Sequence, residues 1–354
     1  MEYSYTEIAY KIVNFILNLK QGQTVTISAE LHNVMESNEA LVQIPFLEEL
    51  AIIVRKNKGL PILDISTENL HKRFFEEITD DPPEIAVELL YKWLDCSDMF
   101  IDLGWRTNPL FYKSIPERSF SKLNIGNKDF KSLFEKKEKK LILLGFPTMG
   151  LAKYLEVDHA ILKKTYFLAL NVNYYDLKKR CIVLDAKLKK NAHWKLGSID
   201  DQALTIEFTK SSTSYYGDMQ NESIIMLPTG YWTQPLNLNA LNGTYICENV
   251  YHEQFMWKSF KFVFEKGKIT TLDTDMQQKN INLIKTILFD DIVSISLQVG
   301  LNHAVREKSG YHLFDGVKYK NVSLVINTIK GQVIALSETA KIYRDNEDNI
   351  LDEV

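Results

Sequence analysis

The feature that most constrains this chain is a change of period. Up to about residue 190, short β-branched runs alternate with longer segments whose apolar residues recur every three or four positions. Ile8, Ile12, Phe15, Ile16 and Leu19 recur at helical spacing, and Gly22 closes that segment. Thr24–Ser28 then reads as a strand, as do Leu60–Ile65, Met99–Leu103 and Lys140–Gly145. Between the first two lies an apolar-periodic stretch from about Glu39 to Lys58, which Pro45 is expected to break or kink. Asp81-Pro82-Pro83 predicts another helix start, leading through Ala86, Leu89, Leu90 and Trp93. Helical spacing returns at Ala160–Leu170 and Tyr174–Lys190. Strands separated by helices predict a mainly parallel sheet flanked by helices.

From about Leu196 the texture changes to alternating segments, Ala203–Phe208 and Phe260–Phe264 among them. Glu265-Lys266-Gly267-Lys268 carries a hairpin signal, since glycine supplies the positive φ of the turn. One helix, about Asp275–Leu288, interrupts the strands, and Ser294–Val299 and Val322–Asn327 follow. The expected architecture is an N-terminal α/β domain over residues 1–190 and a β-rich domain over 191–354.

Composition narrows the classes. A formal charge of -4 with no strongly basic domain gives no electrostatic footprint for nucleic acid. The locally basic run Phe134–Lys140 reads as a solvated helix end. No stretch of 18 apolar residues predicts a membrane span. The start lacks a basic leader region, and the three cysteines, Cys96, Cys181 and Cys247, follow no pairing pattern. These features are those of a cytoplasmic protein, with the cysteines expected to be buried, inert thiols.

Three segments then carry a resemblance, in order. They are Met226-Leu227-Pro228-Thr229-Gly230-Tyr231-Trp232-Thr233-Gln234-Pro235, Ile295-Ser296-Leu297-Gln298-Val299-Gly300-Leu301-Asn302, and Gly310–Gly316 with Asn321–Asn327 after it. They resemble the aminopeptidase T family of leucyl-type metallopeptidases, whose relatives include the iron-dependent 2,5-dihydroxypyridine dioxygenases. The family patterns are Asn-Leu-Pro-Thr-Gly-Glu-Val-Phe-Thr-x-Pro, Gly-Glu-Leu-Gly-Ile-Gly-x-Asn, and an acidic turn followed by Gly-Thr-Val-His-Ile-Ala-Leu-Gly. The resemblance spans most of the chain at low identity. It implies a paired metal site held by carboxylates and histidines, and a homodimer formed through the C-terminal domain.

Set against those patterns, the ligand positions of this chain are neutral. The first family glutamate falls at Tyr231 or beside it, the second at Ser296, and the histidine at Ser323. The family's closing His-x-Asp would fall near Leu336-Ser337-Glu338, and no histidine follows His312. Hydroxyls are poor partners for zinc or cobalt beside carboxylate and imidazole. No metal site and no other cofactor is therefore expected. His252, Glu253, His303, Glu307 and His312 are the only nearby candidates for a replacement set. His252 and Glu253 are adjacent, so a strand would point them to opposite faces. The sequence shows no Gly-x-Ser-x-Gly elbow, Gly-rich phosphate loop or His-Glu-x-x-His.

The resemblance therefore leads to a catalytically degenerate aminopeptidase-like protein that binds a peptide or amino-acid-like ligand, with partner enzymes in a peptide-modifying pathway. The alternative is an active metal-dependent aminopeptidase with relocated ligands. Tyr231, Ser296 and Ser323 are expected to converge on one cleft between the domains, with Tyr231 and Trp232 as aromatic anchors and Asn302 and His303 at the rim. The local aromatics Tyr215, Tyr216, Tyr251, Phe255 and Trp257 read either as core packing or as an aromatic-lined groove. An exposed surface around Tyr251–Trp257 would supply the dimer interface.

Overall fold

The computed structural model describes residues 3–31, 40–70, 92–104, 130–188, 193–197, 203–209, 211–217, 222–252, 255–274, 281–289, 292–344 and 349–354, with residues 73 and 109 besides. The expected helix after Asp81-Pro82-Pro83 lies mostly outside them, as do Glu253 and the first residues of the helix expected at Asp275.

The chain forms two compact units. One comprises Met1–Asn171 with Gly217–Pro228, the other Val172–Tyr216 with Thr229–Val354. The single boundary read at residue 190 differs from this division, because the chain crosses between units more than once. Helix Tyr174–Lys187 belongs to the second unit, and the chain then returns to the first to add a short strand.

In the first unit, β1 (Thr24–Leu31), β2 (Leu60–Thr67), β3 (Met99–Asp102), β4 (Lys140–Leu143) and β8 (Ile224–Met226) form a fully parallel sheet in the order β2-β1-β3-β4-β8. Strands inside such a sheet are covered on both faces and read as continuous apolar runs. Val25 and Ile27 of β1, Phe100 and Ile101 of β3, and Leu141 and Ile142 of β4 are accordingly buried. Phe100, Leu94, Leu133, Phe134 and Leu141 make one cluster, in which the Phe100 and Phe134 rings meet edge to face at 5.5 Å. Truncating Phe100 to alanine would cost about 3–5 kcal/mol.

Two helical expectations changed on folding. The first helix runs α1 (Tyr5–Lys11) and then widens to a π-turn over Ile12–Ile16. The wider turn shifts the apolar stripe, so Val13, Ile16 and Leu17 are buried while Phe15 points out and is 60% exposed. Helix α2 (Ala40–Lys56) runs unbroken through Pro45. Proline there forfeits one backbone bond in the second turn, and burial of Phe46, Leu47, Leu50 and Val54 outweighs it.

The second unit is β-rich. Its main sheet joins β7 (Thr213–Tyr215), β9 (Tyr231–Pro235), β10 (Gly243–His252), β11 (Phe255–Glu265), β12 (Lys268–Thr274), β13 (Ile292–Gly300), β14 (Val322–Thr328) and β15 (Gly331–Ser337). Their order is β12-β11-β10-β15-β14-β13-β9-β7, with every strand pair antiparallel. A smaller sheet has the order β16-β5-β6, with β5 at His193–Gly197, β6 at Leu204–Glu207 and β16 at Lys341–Tyr343. The β11–β12 hairpin forms where expected. Lys266 and Gly267 both hold positive φ, 48° and 77°, and a Cβ on Gly267 would stand 2.3 Å from the Leu238 carbonyl oxygen.

Several aromatic residues of this unit fill its core. Tyr245, Phe260, Phe262 and Phe264 are essentially inaccessible, and Tyr245 donates its hydroxyl to the Val322 carbonyl at 3.0 Å. Tyr251 and Trp257 are also buried, at 4% and 2% exposure. The exposed aromatic surface expected around Tyr251–Trp257 is therefore not formed by these two side chains. Of the cysteines, Cys181 and Cys247 are buried and Cys96 is exposed. Cys96 follows the end of its helix, where its thiol donates to the Lys92 carbonyl at 3.3 Å rather than packing inward. Burial pushes the Cys181 thiol up to about 12 and Cys247 well above its usual range, which removes thiolate from both at neutral pH. Among the described residues no helix is long and apolar enough to cross a membrane.

Candidate functional site

Register decides which of the expected site residues meet. Residues directly opposed across an antiparallel pair share a face, and so do residues two apart along a strand. Tyr231 pairs with Gly300, Thr233 with Gln298, and Pro235 with Ser296. On the other side of β13, Gln298 pairs with Ser323 and Ser296 with Val325. Tyr231, Thr233, Ser296, Gln298 and Ser323 therefore lie on one face of the second unit's sheet.

They share the face without converging. Tyr231 sits at the level of Gly300, four residues along β13 from Ser296, which is roughly 13 Å by strand rise. A serine hydroxyl cannot span that. Between them stand Thr233 and Gln298, which the motif comparison passed over although alternation from Tyr231 and Ser296 marks both. Thr233 Oγ1 donates to the Leu297 carbonyl at 3.0 Å, and Gln298 Nε2 to the Gly316 carbonyl at 3.3 Å. Tyr231, Thr233, Ser296 and Gln298 are partly exposed, whereas Ser323 is fully buried. Among the described residues the Ser323 Oγ has no hydrogen-bond partner. At the outer edge the Tyr231 ring stacks on Tyr215, centroids 4.5 Å apart and planes 23° apart.

The same alternation turns Trp232 the other way. It is fully buried, and its indole N–H donates to Asp185 Oδ1 at 3.3 Å on helix α6 (Tyr174–Lys187). Adjacent strand residues cannot both face one ligand, so Trp232 is a core residue and not the anchor expected of it. Asn302 is likewise fully buried. Its Nδ2 donates to the Thr229 carbonyl at 3.0 Å and its Oδ1 accepts from the Ala304 N–H at 3.1 Å. It clamps two loops together. His303 is exposed in the following turn. Partial burial, then the nearby Arg180 charge, lower its pKa, with Arg306 adding to this and Asp176 opposing.

Beside Gln298 the face is covered by the chain itself. A Cβ on Gly300 would fall 2.1 Å from the Lys318 carbonyl oxygen, so only glycine admits this approach. The covering segment carries the short helix α8 (His312–Asp315), which follows α3 (Phe130–Lys136), α4 (Met149–Leu155), α5 (His159–Leu170) and α7 (Ile281–Leu288) in chain order. Its Asp315 is buried and accepts four donors. Oδ1 takes the Ser309 N–H at 2.7 Å and hydroxyl at 2.8 Å; Oδ2 takes the Gly310 N–H at 3.0 Å and the Tyr251 hydroxyl at 3.1 Å. Burial raises the Asp315 carboxyl above its usual range although its donors pull the other way.

The donor set does not fit a paired divalent metal. Along the face it offers neutral phenol, hydroxyl and amide groups, where such ions take carboxylate and imidazole. The Asp315 oxygens are already committed. Of the other candidates, His252 bonds through Nδ1 to the Gln332 carbonyl at 2.9 Å, Glu307 is exposed, and the His312 ring lies 5.9 Å from that of Tyr251. Among the described residues no three His, Cys, Asp or Glu side chains are grouped to hold a metal ion.

No protein-family model matches the sequence, and no curated protein matches it. Solved structures do match. Wild-type AmpT from Thermus thermophilus superposes with a TM-score of 0.61 at 12% identity, covering 96% of this chain and 94% of that one. The 2,5-dihydroxypyridine dioxygenase of Pseudomonas putida gives 0.60 at 12% identity, covering 97% and 94%. Such likenesses establish the fold: from end to end the chain has the α/β plus β-rich architecture that AmpT and the dioxygenase share.

Proposed function

We propose that this chain is a binding protein on an aminopeptidase-like scaffold, taking a peptide or amino-acid-like ligand without hydrolysing it. One observation carries the reading. The partly exposed face formed by Tyr231, Thr233, Ser296 and Gln298 is polar and uncharged where the resembled enzymes place metal ligands. Hydroxyl and amide groups in a row suit the alternating donors and acceptors of an extended peptide backbone. The Tyr231–Tyr215 stack adds a rigid apolar platform of low entropy cost at one end. A protein of this kind would hold a peptide for partner enzymes that modify it.

Calorimetric titration of the unmodified protein with a library of unmodified tripeptides tests the reading, alongside a chromogenic aminopeptidase assay supplemented with cobalt, zinc or manganese. The expected result is saturable binding, weakened about tenfold by Tyr231→Ala, equivalent to about 1.4 kcal/mol, with no turnover. Metal-dependent release of an N-terminal residue on the order of 1 per second would overturn it in favour of an enzyme with relocated ligands.

A further inference from the structure

Register places two buried polar groups of the second unit in one row. Asn249 of β10 pairs with Leu336 of β15, Leu336 with Ser323 of β14, and Ser323 with Gln298 of β13. Gln298 in turn pairs with Thr233 of β9. Opposed residues share a face, so these five side chains cross five strands as one line. Thr233 and Gln298 are partly exposed, while Ser323, Leu336 and Asn249 are buried. Among the described residues neither Asn249 Nδ2 nor Ser323 Oγ has a hydrogen-bond partner. The segment bearing Asp315 lies over this inner end. Tyr251, two residues along β10 from Asn249, donates to the Asp315 side chain at 3.1 Å. Asn321, two residues before Ser323 and on the other side of the row, donates to the Asp315 carbonyl at 2.8 Å. The Asp315 carboxyl takes its donors from Ser309, Gly310 and Tyr251, and so answers neither polar group. An unsatisfied buried polar group is destabilising, and an apolar residue at either position would avoid that cost.

We propose that Asn249 and Ser323 form the inner end of the ligand site, where they hold a side-chain carboxamide of the ligand across Leu336; this rests on the peptide-binding reading above. Two strand spacings, roughly 10 Å, separate their Cα atoms. The two side chains take up part of that distance. What remains suits one planar amide with a hydrogen bond of about 2.9 Å at each end. Its oxygen accepts from Asn249 Nδ2, and its N–H₂ donates to Ser323 Oγ. Charge selects against the alternatives. A carboxylate would lie under the Asp315 carboxyl, and the segment's cations Lys308 and Lys318 are paired with Glu338 at 3.0 and 3.5 Å. An ammonium would meet the Asn249 N–H₂, itself a donor, and Asp315 oxygens that already hold four donors. Both polar atoms are closed off from solvent, so the Asp315 segment lifts to admit the amide.

Calorimetric titration of the full chain with Ala-Gln-Ala, Ala-Glu-Ala and Ala-Leu-Ala tests the assignment. The glutamine peptide is expected to bind about tenfold more tightly than the other two, because a site built to hydrogen-bond a group rejects analogues that lack it. Ser323→Ala and Asn249→Leu should each erase that preference. Tyr231→Ala should weaken all three peptides alike and keep it. Urea unfolding should show Ser323→Ala to be as stable as the parent, which separates lost recognition from lost fold. Equal affinities in the parent, a preference for either other peptide, or a glutamine preference that survives in both variants overturns the assignment and leaves the peptide-binding reading standing. Binding of none of the three peptides overturns both.

Discussion

The Tyr251 hydroxyl donates to Asp315 Oδ2 across 3.1 Å, joining a central strand of the second unit to the segment that closes over Gly300. Both residues are buried, and Asp315 collects three further donors from Ser309 and Gly310. The face beside the neutral Ser296, Gln298 and Ser323 is thus held by a saturated carboxylate within the chain.

Removing that carboxylate should cost more than removing its phenol. Tyr251→Phe deletes one of four donors and is expected to destabilise by about 1–2 kcal/mol. Asp315→Asn keeps the shape but turns an amide N–H₂ toward groups that are themselves donors, so about 3 kcal/mol or more is expected. Urea denaturation followed by tryptophan fluorescence would rank the two. Equal, small losses would show that the segment is not anchored through Asp315.

Gly300→Ala tests the close approach directly. The added methyl would meet backbone atoms at Lys318, Gly316 and Val317, the nearest at 2.1 Å, so the segment itself must shift. The cost expected is about 3 kcal/mol. Ligand affinity should fall with it, because Gln298 is oriented by the Gly316 carbonyl. Stability within about 0.5 kcal/mol of the parent, the range of ordinary surface substitutions, would mean that the segment moves freely.

Much of this architecture was legible in residue spacing. The runs at Thr24, Leu60, Met99 and Lys140 became neighbouring strands of one parallel sheet, and the Lys266-Gly267 turn became a hairpin. These are local signals. What depended on distant contacts was hidden. The π-turn that rotates Phe15 outward leaves no mark in apolar spacing, and the return of Ile224–Met226 to β4 depends on pairing across a long insertion. At the site, motif comparison found Tyr231, Ser296 and Ser323, which do share a face. It ignored strand alternation, and so included Trp232 and omitted Thr233 and Gln298. Asn302 was found for its position, but its amide is spent on backbone partners that sequence does not reveal.

Ser323 carries a further expectation. Its hydroxyl is fully buried and has no partner among the described residues, and an unsatisfied hydroxyl costs about 1–3 kcal/mol relative to a satisfied one. Ser323→Ala removes that cost with little change of volume. The variant should be as stable as the parent or more stable, by up to about 1 kcal/mol, when midpoints of urea unfolding are compared. A loss above 1 kcal/mol would reveal a bond to the hydroxyl and return Ser323 to the polar row as an engaged member.

The first unit offers a pH test with a defined sign. Asp102 closes β3, where its Oδ1 accepts the Gly104 N–H at 2.7 Å and the Ser28 hydroxyl at 3.4 Å. Burial raises its carboxyl to about 6, helped by the Glu30 and Asp64 charges and opposed by those two hydrogen bonds. The ordinary value is 3.8, so between the two the folded chain holds a proton that the unfolded chain has released. Stability must therefore fall as pH rises through that window, and the full penalty persists above it. A shift of this size corresponds to about 3 kcal/mol at most, and partial exposure of the residue reduces this to about 1–2 kcal/mol. Asp102→Asn cannot ionise, and its side-chain oxygen can still accept from Gly104. The variant should match the parent near pH 3, below both values, and exceed it by about 1–2 kcal/mol at pH 7.5. Denaturation curves collected across that range would settle the point. A stability difference that does not change with pH, or one that favours the parent increasingly toward pH 7.5, would show that Asp102 is ionised throughout and that the Gly104 and Ser28 donors outweigh its burial.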